Sequence, residues 1–600
     1  MPCCPARYHY FLMGVRLMRE SVLFAILQDV GFCILFVGIA ILFGRAFYKI
    51  YKGKPIFGKK PTGAVEGVLY KTFGVDPQEE MTPKKYAISV LLFSGVGLVL
   101  GFIILMLQQI LWLNPEGVEG MSWHLAFNTV SSFVTNTNWQ AYSGETQASY
   151  LSQMLVMNVQ NFVSGATGIA VLFALIRGFT RREKKTIGNF WVDLTRITLF
   201  MIPVCLGGTI LLVSQGVPQT FNGAIQYLTL EGVSSKLYLG PAASQIIIKQ
   251  LFTNGGGFYG CNSAVPFENP TAFSNLIETL SLLVIPGGLC FTFGKAIIDN
   301  HKAKKLAGEV GKVGRNGVAR EKNQGIVLFI AVSIIFVLCL GVCTAFEYAF
   351  NEVPDGVAAI GNMEGKEVRF GVGGSSLWAV ATTSVSNGSV NSMHDSFTSI
   401  GGMIPMFLMM LGEIVYGGVG CGLYGLIAFA LLTVFIAGLM VGRTPEYIGK
   451  KIGSYDMKMV CLIILTPVLC CLIGTAATVM MPDAANWTTN GGAHGFSEIL
   501  YGFASMANNN GSAFAGFSAN TPWTNVSGGI VMLLVRFVPM IATVFLAGSL
   551  ANKKHIPQSD GTLRTANGLF IGLLIAVIII IGALSFFPAL SLGPIAEYVA

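Results

Sequence analysis

Long apolar runs alternate with short polar stretches rich in glycine and asparagine along nearly the whole chain. Val90–Leu107, Gly325–Phe346 and Gly568–Phe587 each reach the roughly 18 residues that mark a membrane-crossing helix. Among such runs lie four shorter pieces, Ser122–Phe133, Ala242–Phe252, Ser375–Ser384 and Gly495–Met506, too short to cross a bilayer. Each leads into a small uncharged loop. The loops are Thr135-Asn136-Thr137-Asn138, Thr253-Asn254-Gly255-Gly256-Gly257, Ser386-Asn387-Gly388-Ser389 and Asn509-Asn510-Gly511-Ser512, a little over a hundred residues apart. The pattern predicts one unit written four times: long helix, short re-entrant helix, loop, long helix.

In chain order, Met1–Glu20 reads as a polar-basic arm without the cleavage site of a signal peptide. Ser21–Phe47 is the first span, and the connector after it carries Lys52, Lys54, Lys59, Lys60, Lys84 and Lys85. Basic loops mark the cytoplasmic side, which places the N-terminus outside. Tyr86–Leu113 and Tyr150–Phe179 flank the first loop, Phe190–Gln215 and Ser274–Ile298 the second, Met457–Met481 and Val526–Leu550 the fourth. A last span, Gly568–Pro588, carries the C-terminus outside. The short helices are expected to start beside Ser122, Ser244, Ser375 and Ser497.

The third unit needs a decision. Gly325–Phe350 precedes its short helix, but the stretch from Gly401 to Gly442 holds about forty mostly apolar residues, enough for two crossings. Two crossings would strand Arg443, Lys450, Lys451 and Lys458 outside; one broken helix keeps them inside. The break falls in Gly417-Gly418-Val419-Gly420-Cys421-Gly422. Irregular backbone at membrane depth is tolerated where it is buried or lines a cavity, so a loop beneath the re-entrant segments, serving as a gate, is expected there. Close helix packing is the plainer use of such glycines.

The count is ten spanning helices and four re-entrant loops. The fold class is an all-α polytopic membrane protein, with four membrane-pore-membrane repeats around a pseudo-fourfold pore. Its divisions are an arm (1–20), a first helix with basic connector (21–85), four pore repeats (86–185, 186–322, 323–456, 457–555) and a last helix (556–600).

Composition agrees. Hydrophobic residues make up 53% and charged residues 11% of the 600, against about 25% charged in a soluble domain. The net charge of +8 sits in short loops between spans, where it sets topology and does not signal nucleic acid. The 12 cysteines show no CxxC and no zinc spacing, and read as small apolar residues.

Glycine reaches left-handed backbone angles, so the loops can aim successive carbonyl oxygens at one point. Such oxygens replace the hydration shell of a bare cation. With almost no side-chain charge, the loops suit a monovalent ion, potassium before sodium; calcium or magnesium would want carboxylates. Each short helix ends at its loop and so points its negative dipole end there. Ordinary turns are the alternative for any single loop.

Ionisable residues inside spans are functional candidates. Arg536 follows the fourth loop and is expected to sit below it or to pair with Glu413; Asp29 and Glu278 are weaker cases. His394-Asp395 lacks a partner nucleophile and reads as a cap of the next helix. The glycosylation pattern at Asn387, Asn486, Asn510 and Asn525 is discounted, since two matches fall in the loops. No phosphate loop and no Asp-Lys-Thr-Gly sequence is present, so nucleotide binding is not expected.

The segments SFVTNTNWQAYSGE, TNGGGFYGCNSAVPFENPT, NMEGKEVRFG, MHDSFTSIGGMIPM, FIAGLMVGRTPEYIGKKI and ANNNGSAFAGFSANTP make the chain resemble the potassium-binding A subunit family of the bacterial Kdp potassium-transporting ATPase. The resemblance implies a potassium-selective, channel-like subunit in the inner membrane. It implies as partners a P-type ATPase subunit that hydrolyses ATP and small C and F subunits, with the ion leaving sideways below the filter. It carries the filter onto the four loops, and ties Gln140 to selectivity and Arg443 to the cytoplasmic contact or gating region. The first loop departs from potassium-channel practice in lacking glycine. A stand-alone channel or cation symporter of the same superfamily is the competing reading.

Overall fold

The computed structural model describes residues 5–54, 59–306, 324–349, 361–440, 442, 444–556 and 563–600. Its long helices are α1 (Pro5–Tyr51), α3 (Pro83–Leu107), α5 (Ser152–Thr180), α6 (Phe190–Ser214), α8 (Ala272–Leu306) and α9 (Gln324–Ala349). Then come α12 (Cys421–Met440), α13 (Ser454–Val479), α15 (Pro522–Asn552) and α16 (Gly568–Leu592). Among the described residues these 10 helices are long and apolar enough to cross a membrane. The short helices before the loops are α4 (Trp123–Val134), α7 (Ala242–Leu251), α10 (Gly371–Ser384) and α14 (Gly492–Ala507). A connector helix α2 (Lys59–Thr72), the half-span α11 (Ser399–Met410), a terminal α17 (Pro594–Val599) and a single helical turn at Gly144–Gln147 are the other α-helices among the described residues.

The helix before each loop and the helix after it have different surroundings. Those after the loops, α5, α8, α12 and α15, are 83, 83, 61 and 61% buried over their most apolar stretch. Those before three of the loops, α3, α6 and α13, are only 22, 28 and 22% buried, and their apolar side chains face outward. In lipid no hydrophobic drive pulls such a face inward, so the inner helices are held by close packing of small residues. A Cβ on Gly168 would lie 2.3 Å from the Val419 carbonyl oxygen, and one on Gly44 of α1 would lie 2.6 Å from that of Gly288 on α8.

Several boundaries differ from the sequence expectation. Only α4 starts at its serine, Ser122; α7, α10 and α14 begin at Ala242, Gly371 and Gly492, leaving Ser244, Ser375 and Ser497 inside the helices. α1 runs back through the residues read as an arm, to Pro5. The first turns of α5, Ser152–Asn158, are π-helical. The protein is not wholly helical: antiparallel hairpins pair Ile225–Leu228 with Ser234–Leu237 and Glu446–Tyr447 with Lys450–Lys451. The span expected to break does so, between Met410 of α11 and Cys421 of α12. Phe350, Arg443 and most of the basic connector before α9, including Lys312, Arg315, Arg320 and Lys322, lie outside the described residues.

A ring of four loops as candidate ion filter

Each short helix ends where a loop begins, and the loop backbone at once turns left-handed in three of the four. Asn136 (φ 64°), Asn138 (φ 56°), Thr253 (φ 51°), Gly255 (φ 95°), Asn509 (φ 55°) and Gly511 (φ 103°) hold these angles. Asparagine tolerates this conformation better than other residues with a side chain. That is how the first loop manages without glycine. Gly255 has no such substitute, because a Cβ there would lie 1.9 Å from the Gly388 nitrogen. Thr253, β-branched, is held in an unfavourable region by its neighbours. Its carbonyl accepts from Asn136 Nδ2 at 2.8 Å and its Oγ1 accepts from the Val419 N–H at 2.9 Å.

The loops close on one another in chain order. From first to second, Asn138 Nδ2 donates to the Gly256 carbonyl at 3.2 Å, while Gln140 both accepts from the Gly257 N–H (3.0 Å) and donates to its carbonyl (3.1 Å). From second to third, the Gly388 N–H donates to the Asn254 carbonyl at 3.1 Å, and Asn387 Nδ2 to that of Lys249 at 3.2 Å. From third to fourth, Ser386 Oγ donates to the Asn509 carbonyl at 2.6 Å, and Asn510 Nδ2 to those of Thr382 and Val385, both at 3.1 Å. From fourth back to first, Asn509 Nδ2 donates to Thr137 Oγ1 at 2.9 Å.

The loop asparagines are thus the ties of the ring. What they leave over is main chain. Among the described residues no hydrogen bond is donated to the carbonyl oxygens of Thr137, Gly255, Gly388 or Gly511, one from each loop. Buried main-chain oxygens are almost always paired, so unpaired ones contributed by all four loops of a closed ring offer acceptors for a cation. The C-terminal ends of the four short helices add negative potential.

The second loop has a charged backing. Lys249 of α7 and Glu268, both fully buried, pair at 2.5 Å, and a Cβ on Gly257 would lie 2.5 Å from the Lys249 ammonium. Glu278 of α8 accepts from Gln250 Nε2 (2.9 Å) and Ser263 Oγ (2.8 Å). Gln250 in turn accepts from Ser389 Oγ at 3.0 Å. On the other side, Asn161 of α5 accepts from Asn138 and Asn254, both at 2.6 Å, and Ser164 donates to Asn136 Oδ1 at 2.8 Å. Glu278 was among the sequence candidates, whereas Lys249, Gln250, Glu268, Asn161 and Ser164 escaped the sequence reading; a polar residue inside or beside an apolar run was the one available signal. Asp29 of α1 is not among the ring's hydrogen-bond partners.

Cavities lie on both faces of the ring. The mouth, of about 1030 Å³, is lined by Gln140, Gly388 and Gly511 together with Lys366 and His394. A chamber of about 70 Å³, with room for a few waters or a partly hydrated ion, is lined by Ser386, Asn509, Glu413, Gly422 and Arg536. The glycine break forms part of its roof support. The Gly417 N–H donates to the Ser384 carbonyl at 3.1 Å, and a Cβ on Gly418 would lie 2.6 Å from that of Ser386. Gly417 (φ 69°) and Gly420 (φ 85°) are left-handed, and a Cβ on Gly420 would lie 2.2 Å from the Gly168 oxygen of α5. Close packing and irregular backbone therefore coincide in one segment.

Two readings are corrected. Glu413 and Arg536 do not pair: among the described residues Glu413 Oε1 has no hydrogen-bond partner, and Arg536 Nη2 donates to the Ser164 carbonyl at 3.3 Å. The two charges face one chamber from different walls. His394-Asp395 does not cap the next helix, because Thr398 accepts from the Gly401 N–H there. Gln140 lies at the mouth side of the ring, bonded to Gly257. Asn387, Asn510 and Asn525 are fully buried, which rules out sugar attachment in the folded chain.

Fold and site define a polytopic helical membrane protein organised around a buried, uncharged main-chain ring. The sequence model of the potassium-transporting ATPase A subunit family, KdpA, matches residues 30–599. The chain belongs to that family. It is 54% identical over 577 residues to the potassium-transporting ATPase potassium-binding subunit of Listeria monocytogenes serotype 4a (strain HCC23), covering 96% of this chain and 99% of the relative. It is 54% identical over 595 residues to the subunit of that name from Clostridium perfringens (strain ATCC 13124), with the same coverage. Against that of Clostridium botulinum (strain Alaska E43) the identity is 52% over 593 residues, covering 96% of this chain and 98% of the relative.

Proposed function

We propose that this chain is the potassium-binding subunit of an ATP-driven potassium importer. It takes a dehydrated ion into the ring and passes it to the chamber below. The observation that carries the reading is that every loop leaves at least one main-chain carbonyl unpaired, Thr137, Gly255, Gly388 and Gly511 among them, in a ring whose loops carry no side-chain charge. Neutral oxygens at fixed spacing suit potassium, whose hydration shell is weakly held. The filter is Thr135 to Asn138, Thr253 to Gly257, Ser386 to Ser389 and Asn509 to Ser512, carried by four repeats with the boundaries given above.

The chain itself has no catalytic role and binds no nucleotide; a P-type ATPase subunit hydrolyses ATP, and small C and F subunits join it in the bacterial inner membrane. Both termini face outward and the basic connectors inward. The ion leaves the chamber sideways, past Glu413 and Arg536, with the glycine break as gate and Arg443 near the cytoplasmic contact. The test is co-purification with the ATPase subunit and potassium-stimulated ATP hydrolysis by the complex. Potassium flux through the chain alone, with no effect on ATP hydrolysis, would instead favour a stand-alone channel or symporter.

A further inference from the structure

The dipeptide His394-Asp395 neither catalyses nor caps, yet both side chains reach α14, the short helix before the fourth loop. One face of α14 carries His494, Glu498, Tyr501 and Ser505, the spacing of a single helical stripe. His494 Nε2 meets Asp395 Oδ1 at 3.1 Å at its start, and Ser505 Oγ accepts from the Gly511 N–H at 2.8 Å at its end. Between them His394 Nδ1 meets Tyr501 Oη at 2.9 Å, and Tyr501 Oη meets Ser512 Oγ at 2.9 Å. Ser512 Oγ then lies 2.5 Å from Asn510 Oδ1.

The direction of every link follows by elimination. Asn510 Nδ2 donates to two carbonyls, and its Oδ1 accepts from the Ser512 N–H at 3.0 Å, so the amide orientation is fixed. An amide oxygen only accepts, so Ser512 spends its one proton on it. Tyr501 must then donate to Ser512, and its own oxygen needs a donor, which is Nδ1–H of His394. Nε2 is thereby the unprotonated nitrogen, buried in the wall of the mouth with no partner among the described residues. Burial and the nearby Lys366 charge push the imidazole down to about 3, so it stays neutral across the physiological range.

We propose that His394 is a positioning residue of the filter: it heads a one-way hydrogen-bond relay, His394 to Tyr501 to Ser512 to Asn510, that fixes the fourth loop against the third. Asn510 is the joint, because its amide holds Thr382 and Val385 of the third repeat while its oxygen takes the relay. The inference rests on the filter reading above and extends it to a residue that touches no ion.

The test uses the full chain purified in detergent, with potassium and rubidium affinities from calorimetry and thermal stability followed in parallel. Tyr501→Phe and His394→Ala are each expected to weaken potassium binding about tenfold, as for one lost oriented hydrogen bond, and to narrow the preference over rubidium. The double variant should be no worse than either single one, because the relay is already cut. His394→Asn, whose amide donates from a position close to Nδ1, should restore most of the preference. Unchanged affinity and preference in Tyr501→Phe, or additive losses in the double variant, would overturn the relay. Gly255→Asp serves as the control: if it abolishes binding while Tyr501→Phe is silent, the relay alone fails. If Gly255→Asp is silent too, the filter reading falls with it.

Discussion

The ring and the chamber directly beneath it are built on opposite terms. In the ring each loop is tied to the next by side-chain amides and hydroxyls, and among the described residues the groups left unpaired are mostly main-chain oxygens, those of Thr137, Gly255, Gly388 and Gly511 among them. The chamber holds two ionisable side chains that do not meet, one carboxylate oxygen without a partner, and a backbone segment of left-handed glycines. Tight ties fix the spacing on which selection between similar ions depends. Unpaired charge and irregular backbone suit a place that an ion crosses without stopping. On the proposed reading, selection and passage are thus separated by a few residues of chain.

Variants can break that contrast. The largest effect is expected from Gly255→Asp, whose Cβ would meet the Gly388 backbone at 1.9 Å and hold the ring open. Potassium binding measured by calorimetry should fall at least about a hundredfold, or roughly 2.7 kcal/mol. Gly388→Asp and Gly257→Asp should weaken binding less and loosen discrimination against rubidium or sodium. Lys249→Met leaves Glu268 buried without its cation, which should destabilise the fold by about 3–5 kcal/mol in thermal unfolding. Near-normal stability there would mean that the pair does not brace the second loop.

Gly420→Ala tests the other side of the contrast. Its Cβ would sit 2.2 Å from the Gly168 oxygen, so transport should drop about tenfold, or 1.4 kcal/mol, while ion binding at the ring stays nearly intact. Binding that fails first would make the break structural. Asn138→Gly keeps the left-handed backbone but loses bonds to Asn161 and Gly256. The expected loss is about 1–2 kcal/mol in potassium binding.

The smallest effect is pH-dependent. Hydrogen bonds to Asp395 and then Glu597 hold His494 up to about 10, above its usual 6.5. A raised pKa means stability present below about 6.5 and lost as pH rises toward 10. Docking of α17, which carries Glu597, should loosen over that window, read as faster amide exchange, and His494→Gln should flatten the dependence.

Some of this was legible in the residues. The glycine and asparagine loops announce left-handed backbone, and the basic connectors required the third unit to cross once, which placed the break. The sequence left open whether Arg536 sits below the fourth loop or pairs with Glu413, because it gives depth but not the wall a side chain leaves from. Gln140 was noticed, but its partner Gly257 lies more than a hundred residues away. Asn161 and His394 likewise reach loops of other units, Asn161 through Asn254 and His394 through Tyr501 and Ser512.

By itself the sequence determined the number of crossings, the four short helices, and the absence of charge from the loops. These are local quantities: lengths of apolar runs, backbone freedom at glycine and asparagine, and net charge per connector. Only the tertiary structure decided which oxygens remain unpaired. That depends on which donor of one loop reaches which acceptor of the next, and such contacts exist only once the four units have closed.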